Sequence, residues 1–171
     1  MEQRKHPRLK HYDYSGNGAY FVTFCTKNRR CLLGETVGRD DHGAPALQLT
    51  GYGRIVEGYI RSIPAAYPNV TLSNYAVMPN HVHLLLLVSE DGAPGSSRPT
   101  DTATRPMPRA TQLIPRIVAA VKRFSNREVG FDLWQPSFHD HIVRSEQDFL
   151  DIWNYITGNP SKWSDDIYYE P

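Results

Sequence analysis

The amino-acid sequence predicts a single α+β domain in which helices pack on an antiparallel sheet. The chain has 171 residues, enough for one hydrophobic core, and 40% hydrophobic and 22% charged residues are ordinary for a globular protein. Short runs of aromatic and β-branched residues predict strands, and stripes of apolar residues at helical spacing predict helices. No internal repeat is visible, so we expect residues 1–171 to form one domain.

The first predicted strand covers residues 19–26 (AYFVTFCT), which follow a turn cluster and are rich in aromatic and β-branched residues. Residues 34–46 are rich in glycine and aspartate and predict a loop, with room for a short strand at 47–49. A helix should follow, because four apolar residues recur at helical spacing before two prolines end the pattern. Its stripe is Val56, Tyr59, Ile60 and Ile63, and the prolines are Pro64 and Pro68.

Two further strands are predicted at residues 70–78 and 81–88, joined at a corner containing Pro79 and Asn80. Residues 91–108 are rich in glycine, serine, threonine and proline, which predicts a mobile surface loop within the domain. The next stripe predicts a helix and consists of Ile114, Ile117, Val118, Val121 and Phe124.

Residues 133–144 (LWQPSFHDHIVR) read as extended, and Pro136 within them favours an edge strand or a bend. Ser145 and Asp148 then resemble an N-terminal capping pair. The last helix should direct four apolar residues to the core, namely Phe149, Ile152, Trp153 and Ile156.

The predicted order is therefore strand, helix, strand, strand, helix, strand, helix. This is the split βαβ pattern of a ferredoxin-like antiparallel sheet, with one helix added at the C-terminus. The net charge of +1 gives no bulk attraction to polyanions. Two cysteines do not indicate a disulfide framework, the N-terminal residues lack the apolar stretch of a signal peptide, and no apolar run could span a bilayer. We expect a cytoplasmic protein.

Basic residues are nevertheless concentrated at two places that could contact phosphates, although each could equally be a solvated surface charge. These candidates for DNA backbone contacts are Lys27, Arg29, Arg30, Arg116, Lys122, Arg123 and Arg127.

His81 and His83 are the first candidate functional residues. Side chains two apart on a strand point to the same face, so both imidazoles should lie side by side. Two neighbouring imidazoles suit two ligands of one metal ion. By itself the pattern is a weak signal, and it is also compatible with two structural histidines at a strand end, one of them half-buried and hydrogen-bonded.

Tyr155 and Asn159 form a second cluster, four residues apart and therefore on the same side of the last helix. Packing of that helix on the sheet could bring both toward the two histidines. Each residue also has a purely structural interpretation, because Asn159 precedes Pro160 and could cap the helix while Tyr155 could pack beside the core.

The succession NYAVMPNHVHLLL, LWQPSFHDHIVR and YITGNPSKW resembles the REP-associated tyrosine transposases, a branch of the HUH single-strand nucleases related to single-tyrosine insertion-sequence transposases. The chain departs from that family in its long 91–108 loop and in Gly158, where a larger polar residue is common. The resemblance implies that His81, His83 and Asn159 bind a divalent metal, Mg²⁺ or Mn²⁺, and that Tyr155 is the nucleophile. It implies cleavage of single-stranded DNA beside a hairpin (REP-like, or an insertion-sequence end) through a 5′-phosphotyrosine intermediate, by a monomer or a homodimer located with the nucleoid.

His139 and His141 form a second His-x-His pattern. They could join the first pair in a four-histidine zinc site, or one of them, with His141 our candidate, could contact phosphate. Two alternatives to the transposase interpretation remain at this level. One is a non-catalytic single-stranded nucleic-acid-binding domain that stacks bases on the aromatic residues of its first strand, and the other is a metal phosphodiesterase that uses water as nucleophile.

Overall fold

A computed structural model of the protein describes residues 18–39, 43, 45–89 and 113–169. The elements in chain order are strands β1 (Gly18–Cys25), β2 (Gly34–Arg39) and β3 (Pro45–Leu49), helices α1 (Gly51–Arg61) and α2 (Ile63–Ala66), strands β4 (Val70–Val77) and β5 (His81–Val88), helix α3 (Leu113–Val129), strand β6 (His139–Val143) and helix α4 (Glu146–Gly158). Short 3₁₀ segments follow β1 (Lys27–Arg29) and α4 (Pro160–Asp165). Among the described residues, no helix is both long and apolar enough to cross a membrane.

The main sheet has four strands in the order β4-β5-β1-β6, and every neighbouring pair is antiparallel. If the short ribbon β2–β3 is set aside, this order is the ferredoxin-like arrangement that the sequence predicts. It places β1 and β5 in the centre and β6 at an edge, where Pro136 just before it interrupts no ladder.

One face of the sheet carries the main hydrophobic core. Strand alternation directs one set of side chains to this face, where helices α1 and α3 cover it. The buried set is Tyr20, Val22, Phe24, Val82, Leu84, Leu86 and Val88 from the strands, and Val56, Ile60, Ile114, Ile117, Val118 and Val121 from the helices. Val56 and Ile60 of the first stripe, and the α3 stripe apart from Phe124, are thus the residues that bury these helices.

The opposite face carries a smaller core under α4. Leu85 from β5 and Ala76 from β4 pack there against Ile152 and Ile156, and Trp163 of the following 3₁₀ segment closes the cluster. Ser145 caps α4 as expected, because its hydroxyl accepts a hydrogen bond from the backbone N–H of Asp148. Helix α4 therefore lies on the face of the sheet that α1 and α3 leave uncovered.

Two local expectations were wrong. Residues 34–39 are not loop but strand β2, paired with β3 in a separate two-stranded ribbon. Its glycines and charges make a poor strand by composition, yet a ribbon with one exposed side needs little intrinsic propensity once it has a pairing partner. Trp153, which was expected to face the core, is 37% exposed and packs beside Phe149 with 6.1 Å between ring centres. Phe124 completes the helical stripe of α3 but is 38% exposed and stacks on Tyr59 at 5.8 Å.

The 133–144 segment is only partly a sheet strand. Residues 139–143 form β6, whereas Trp134 makes an isolated bridge with Thr26. The 91–108 segment, for which we expected a mobile loop, lies outside the described residues.

Candidate metal and tyrosine site

His81 and His83 lie at the start of β5, and their side chains point to the α4 face as strand alternation requires. Across the ladder, His81 is opposite Cys25 and His83 is opposite Thr23 on β1. The two histidines are 0% and 1% exposed. A pair of polar rings this deeply buried needs hydrogen-bond partners, and the structure supplies them.

The hydrogen bonds determine the tautomers of the two rings. The side-chain amide of Asn80 donates to the carbonyl of Tyr168 at 2.7 Å, so its oxygen faces Nδ1 of His81, 2.8 Å away, and accepts that N–H. Nε2 of His81 then carries a lone pair and accepts from Nε2 of His83 at 2.9 Å. Nδ1 of His83 accepts in turn from the hydroxyl of Thr23 at 2.7 Å. Rotation of that hydroxyl would let His83 take the other tautomer, in which both Nε2 atoms present lone pairs.

Both imidazoles are neutral at physiological pH. Burial, with a contribution from nearby Arg29, lowers the pKa of His81 from 6.5 to about 3. Burial and the neighbouring His81 hold the pKa of His83 well below its ordinary value, although the negative charge of Asp166 acts in the opposite direction. Neutral imidazole is the metal-binding form, so protons do not compete for these nitrogens at neutral pH.

Tyr155 of α4 reaches the histidine pair. Its hydroxyl is 3.5 Å from Nε2 of His83, and its ring makes edge contacts with His83 and Phe21. The residue is 42% exposed, so one side of the phenol remains open to solvent. Burial and the negative charge of Asp166 raise the pKa of Tyr155 to about 12, while the nearby Asn159 amide acts in the opposite direction.

Asn159 is the C-terminal cap of α4 and is 3% exposed. Neither its amide oxygen nor its amide nitrogen has a hydrogen-bond partner of standard geometry among the described residues. A buried amide with both groups unpaired is unusual and costs free energy. The unpaired oxygen is what a residue with a metal-ligand role would present.

Asp166 belongs to the same site, and the sequence analysis missed it. One ligand atom each from His81, His83 and Asp166 lie within 4.8 Å of one another. Its carboxylate Oδ2 is 3.9 Å from Nε2 of His81 and accepts from the hydroxyl of Tyr155 at 3.4 Å. No spacing rule could have found it, because Asp166 lies beyond the last helix, next to Asp165 and within an acidic stretch. The donor set of two neutral imidazoles and one carboxylate could hold a divalent metal ion.

The basic residues after β1 lie near the site. The guanidinium of Arg29 is 5.4 Å from the ring centre of Tyr168, which in turn packs 4.7 Å from the ring of His81. Arg29 has a φ of 53°, an unfavourable left-handed conformation for a non-glycine residue. Lys27 is 3.9 Å from the exposed carboxylate of Asp132, and Arg30 is exposed.

The basic residues of α3 lie on the other side of the sheet from the histidine pair, since α3 packs on the opposite face. Arg116 and Arg123 line a groove of about 560 Å³ between α3 and the segment before β6. Lys122 donates to the carbonyls of Gln135 and Ser137 at 2.6 and 2.8 Å. Arg127 is exposed in the last turn of α3. The structure therefore does not bring this set together with the catalytic candidates.

The second histidine pair is also separate from the first. His139 and His141 lie on β6 opposite Thr23 and Phe21, but both are exposed. Nε2 of His141 is 2.8 Å from the carboxylate of Asp148. Within the described part of the chain, neither His139 nor His141 joins the His81, His83 and Asp166 group, so the four-histidine arrangement is not formed.

No family model matches the chain. An uncharacterized protein of Haemophilus influenzae is 32% identical over 178 residues, covering 99% of this chain and 94% of its relative. A solved structure of a REP-associated tyrosine transposase bound to a REP hairpin is 20% identical, with a TM-score of 0.60 over 91% of this chain and 74% of that one. At 20% identity, the similarity to the transposase structure is a similarity of fold. The chain therefore belongs to the family of the Haemophilus influenzae protein, and it has the fold of a REP-associated tyrosine transposase, as the motifs in its sequence led us to expect.

Proposed function

We propose that the protein is a metal-dependent single-stranded DNA endonuclease and strand transferase of the HUH type, acting beside DNA hairpins. The observation that supports this most directly is the convergence of the Tyr155 phenol, 3.5 Å from His83, on a pair of buried neutral imidazoles. The transposase with the same fold is bound to a REP hairpin, which makes hairpin DNA the substrate to test first.

In this proposal the phenol oxygen of Tyr155 attacks a phosphorus atom of the strand. The bond from phosphorus to the 3′ oxygen breaks, so the fragment downstream of the cut stays on the enzyme through a 5′-phosphotyrosine. The upstream fragment leaves with a 3′-hydroxyl, whose oxygen takes up a proton in place of the one that the phenol loses. One phosphoester replaces another at little cost in free energy, so the strand can later be joined to a different 3′ end. The half-exposed position of Tyr155 leaves space for a strand to approach it.

The other residues position and hold the reacting groups. His81, His83 and Asn159 would hold the metal, and Asn80 and Thr23 orient the two imidazoles through their Nδ1 atoms. A divalent cation there would withdraw charge from a nonbridging phosphate oxygen and favour the phenolate form of Tyr155. Mn²⁺ should support activity at least as well as Mg²⁺, because imidazole ligands suit Mn²⁺ better.

The basic residues divide into two groups in this proposal. Arg29 lies beside Tyr168 at the histidine pair and could contact the backbone of the cleaved strand, with Lys27 and Arg30 as its exposed neighbours along the chain; His141 lies on the same face of the sheet. The α3 residues could only contact DNA that extends around the β6 edge to the opposite face.

The test is incubation with a hairpin-bearing oligonucleotide and Mn²⁺, followed by denaturing gel electrophoresis to detect a covalent adduct. Tyr155→Phe should abolish the adduct. Tyr168→Phe is the matched control, because Tyr168 also lies beside His81 and would be the alternative nucleophile. Retention of the adduct by Tyr155→Phe, or absence of any adduct from the wild type with hairpin substrates, would refute the proposal.

The same assay separates the two alternatives. A hydrolytic phosphodiesterase would cleave repeatedly with Tyr155→Phe and form no adduct. A non-catalytic binder would retain DNA affinity in the presence of a chelator and with His81→Ala. The aromatic platform expected for that binder is not exposed, since Tyr20 and Phe24 are 0% and 1% accessible beneath α1 and α3.

A further inference from the structure

Asp166 is held firmly although it lies beyond the last helix. Trp163, three residues earlier, is 4% exposed and packs in the core beneath α4. Two residues later, the carbonyl of Tyr168 accepts a hydrogen bond from the Asn80 side chain at 2.7 Å. The Asp166 side chain itself is only 1% exposed. The C-terminal segment, residues 160–169, therefore carries this carboxylate in a defined position.

The two carboxylate oxygens of Asp166 have different surroundings. Oδ1 accepts the backbone N–H of Tyr168 at 2.7 Å, which orients the group. Oδ2 faces the histidines, 3.9 Å from Nε2 of His81, and lies 3.4 Å from the hydroxyl of Tyr155. One oxygen is thus fixed by the backbone, while the other points toward the nitrogens that would bind a metal.

Charge balance also points to a cation. Among the described residues, no lysine or arginine lies within ion-pair distance of the Asp166 carboxylate. A buried carboxylate without a positive partner is unfavourable, whereas one that binds a metal ion is common.

We propose that Asp166 is a ligand of the divalent cation, together with His81 and His83. The proposal rests on the function proposed above, which requires a cation in this site, and it goes further in assigning a carboxylate from the C-terminal segment to the metal. A carboxylate oxygen is a charged and hard ligand, so Asp166 favours Mn²⁺ and Mg²⁺ more than the amide of Asn159 does. It also links metal binding to the position of residues 160–169.

The experiment measures Mn²⁺ affinity of the full chain without DNA, by the paramagnetic resonance signal of free Mn²⁺ after removal of bound metal. Asp166→Asn retains an acceptor for the N–H of Tyr168 but removes the charged ligand. Asp165→Asn is the matched control, because Asp165 is the exposed neighbour and the same charge is lost. We expect Asp166→Asn to weaken Mn²⁺ binding by at least about tenfold and Asp165→Asn by less than about twofold.

A second measurement does not depend on affinity alone. Mn²⁺ should slow amide hydrogen exchange in residues 160–169 of the wild type and of Asp165→Asn, but not of Asp166→Asn. The proposal is overturned if Asp166→Asn binds Mn²⁺ as tightly as the wild type, whether or not Asn159→Ala loses binding, or if the wild type binds no Mn²⁺. The Mn²⁺ titration contains no DNA, so a negative result in it does not test Tyr155. The role of Tyr155 is tested separately by the adduct assay.

Discussion

The buried histidine pair should make the metal-free protein lose stability as the pH falls through the range of ordinary histidine titration. In the unfolded chain each histidine takes up a proton near pH 6.5. In the folded chain His81 does not, because its pKa is lowered to about 3, and the pKa of His83 is also lowered. Above pH 6.5 both states are neutral, so these residues cause no pH dependence there.

Below pH 6.5 the unfolded state binds more protons than the folded state, so the free energy of unfolding must decrease. Each histidine that stays neutral in the folded state lowers the free energy of unfolding by about 1.4 kcal/mol for each pH unit below 6.5. Between pH 6.5 and 5, His81 alone should therefore lower the free energy of unfolding by about 2 kcal/mol, and the lowered pKa of His83 adds a loss in the same direction. The loss would be a substantial fraction of the roughly 5–15 kcal/mol that stabilises a typical domain.

The assay is urea denaturation at pH 7.5, 6.5, 5.5 and 5.0 with a chelator present. His81→Gln should reduce the slope of stability against pH by about half, since one of two buried imidazoles is gone. Wild-type stability that does not change between pH 7.5 and 5.0, or equal slopes for His81→Gln and the wild type, would refute the reasoning.

Other predictions concern the elements that support the site, and each is checked by chemical denaturation. Gly53→Ala should destabilise the protein by about 1–3 kcal/mol, because the new Cβ would lie 1.9 Å from the backbone oxygen of Leu33. Gly58→Ala, in the same helix, is the matched control. Its Cβ would meet nothing within 4 Å, so it should stabilise the protein by about 0.5–1 kcal/mol. A stable Gly53→Ala would contradict the close approach. Ser145→Ala removes the cap of α4 and should cost about 1 kcal/mol; no loss would mean that the cap is dispensable. Leu84→Ala, in the main core, should cost about 2–5 kcal/mol, and a smaller loss would indicate local collapse.

Much of the fold could be predicted from the sequence, because strands and helices follow from the spacing of apolar residues that are close along the chain. Alternation along β5 correctly predicted that His81 and His83 share a face. The spacing of Tyr155 and Asn159 correctly predicted that α4 presents both on its inner edge, where one approaches His83 and the other is buried. These expectations depended only on the geometry of one element and on which face must be covered.

Other features could not be predicted, because they arise from packing between distant segments. The ribbon β2–β3 exists through pairing that its composition does not indicate. The 37% exposure of Trp153, which the helix pattern directs to the core, depends on how α4 packs on the sheet. The separation of the α3 basic residues from the histidines follows from which face of the sheet α3 occupies.

The sequence by itself determined the strands of the main sheet, the long helices and the histidine, tyrosine and asparagine candidates, since backbone periodicity and side-chain type are properties of neighbours along the chain. Only the tertiary structure decided that Asp166 joins the two histidines, that Asn80 and Thr23 set their tautomers, and that His139 and His141 remain apart. Those contacts connect residues far apart along the chain, and their distances are set by how helix α4 and the segment after it pack on the sheet.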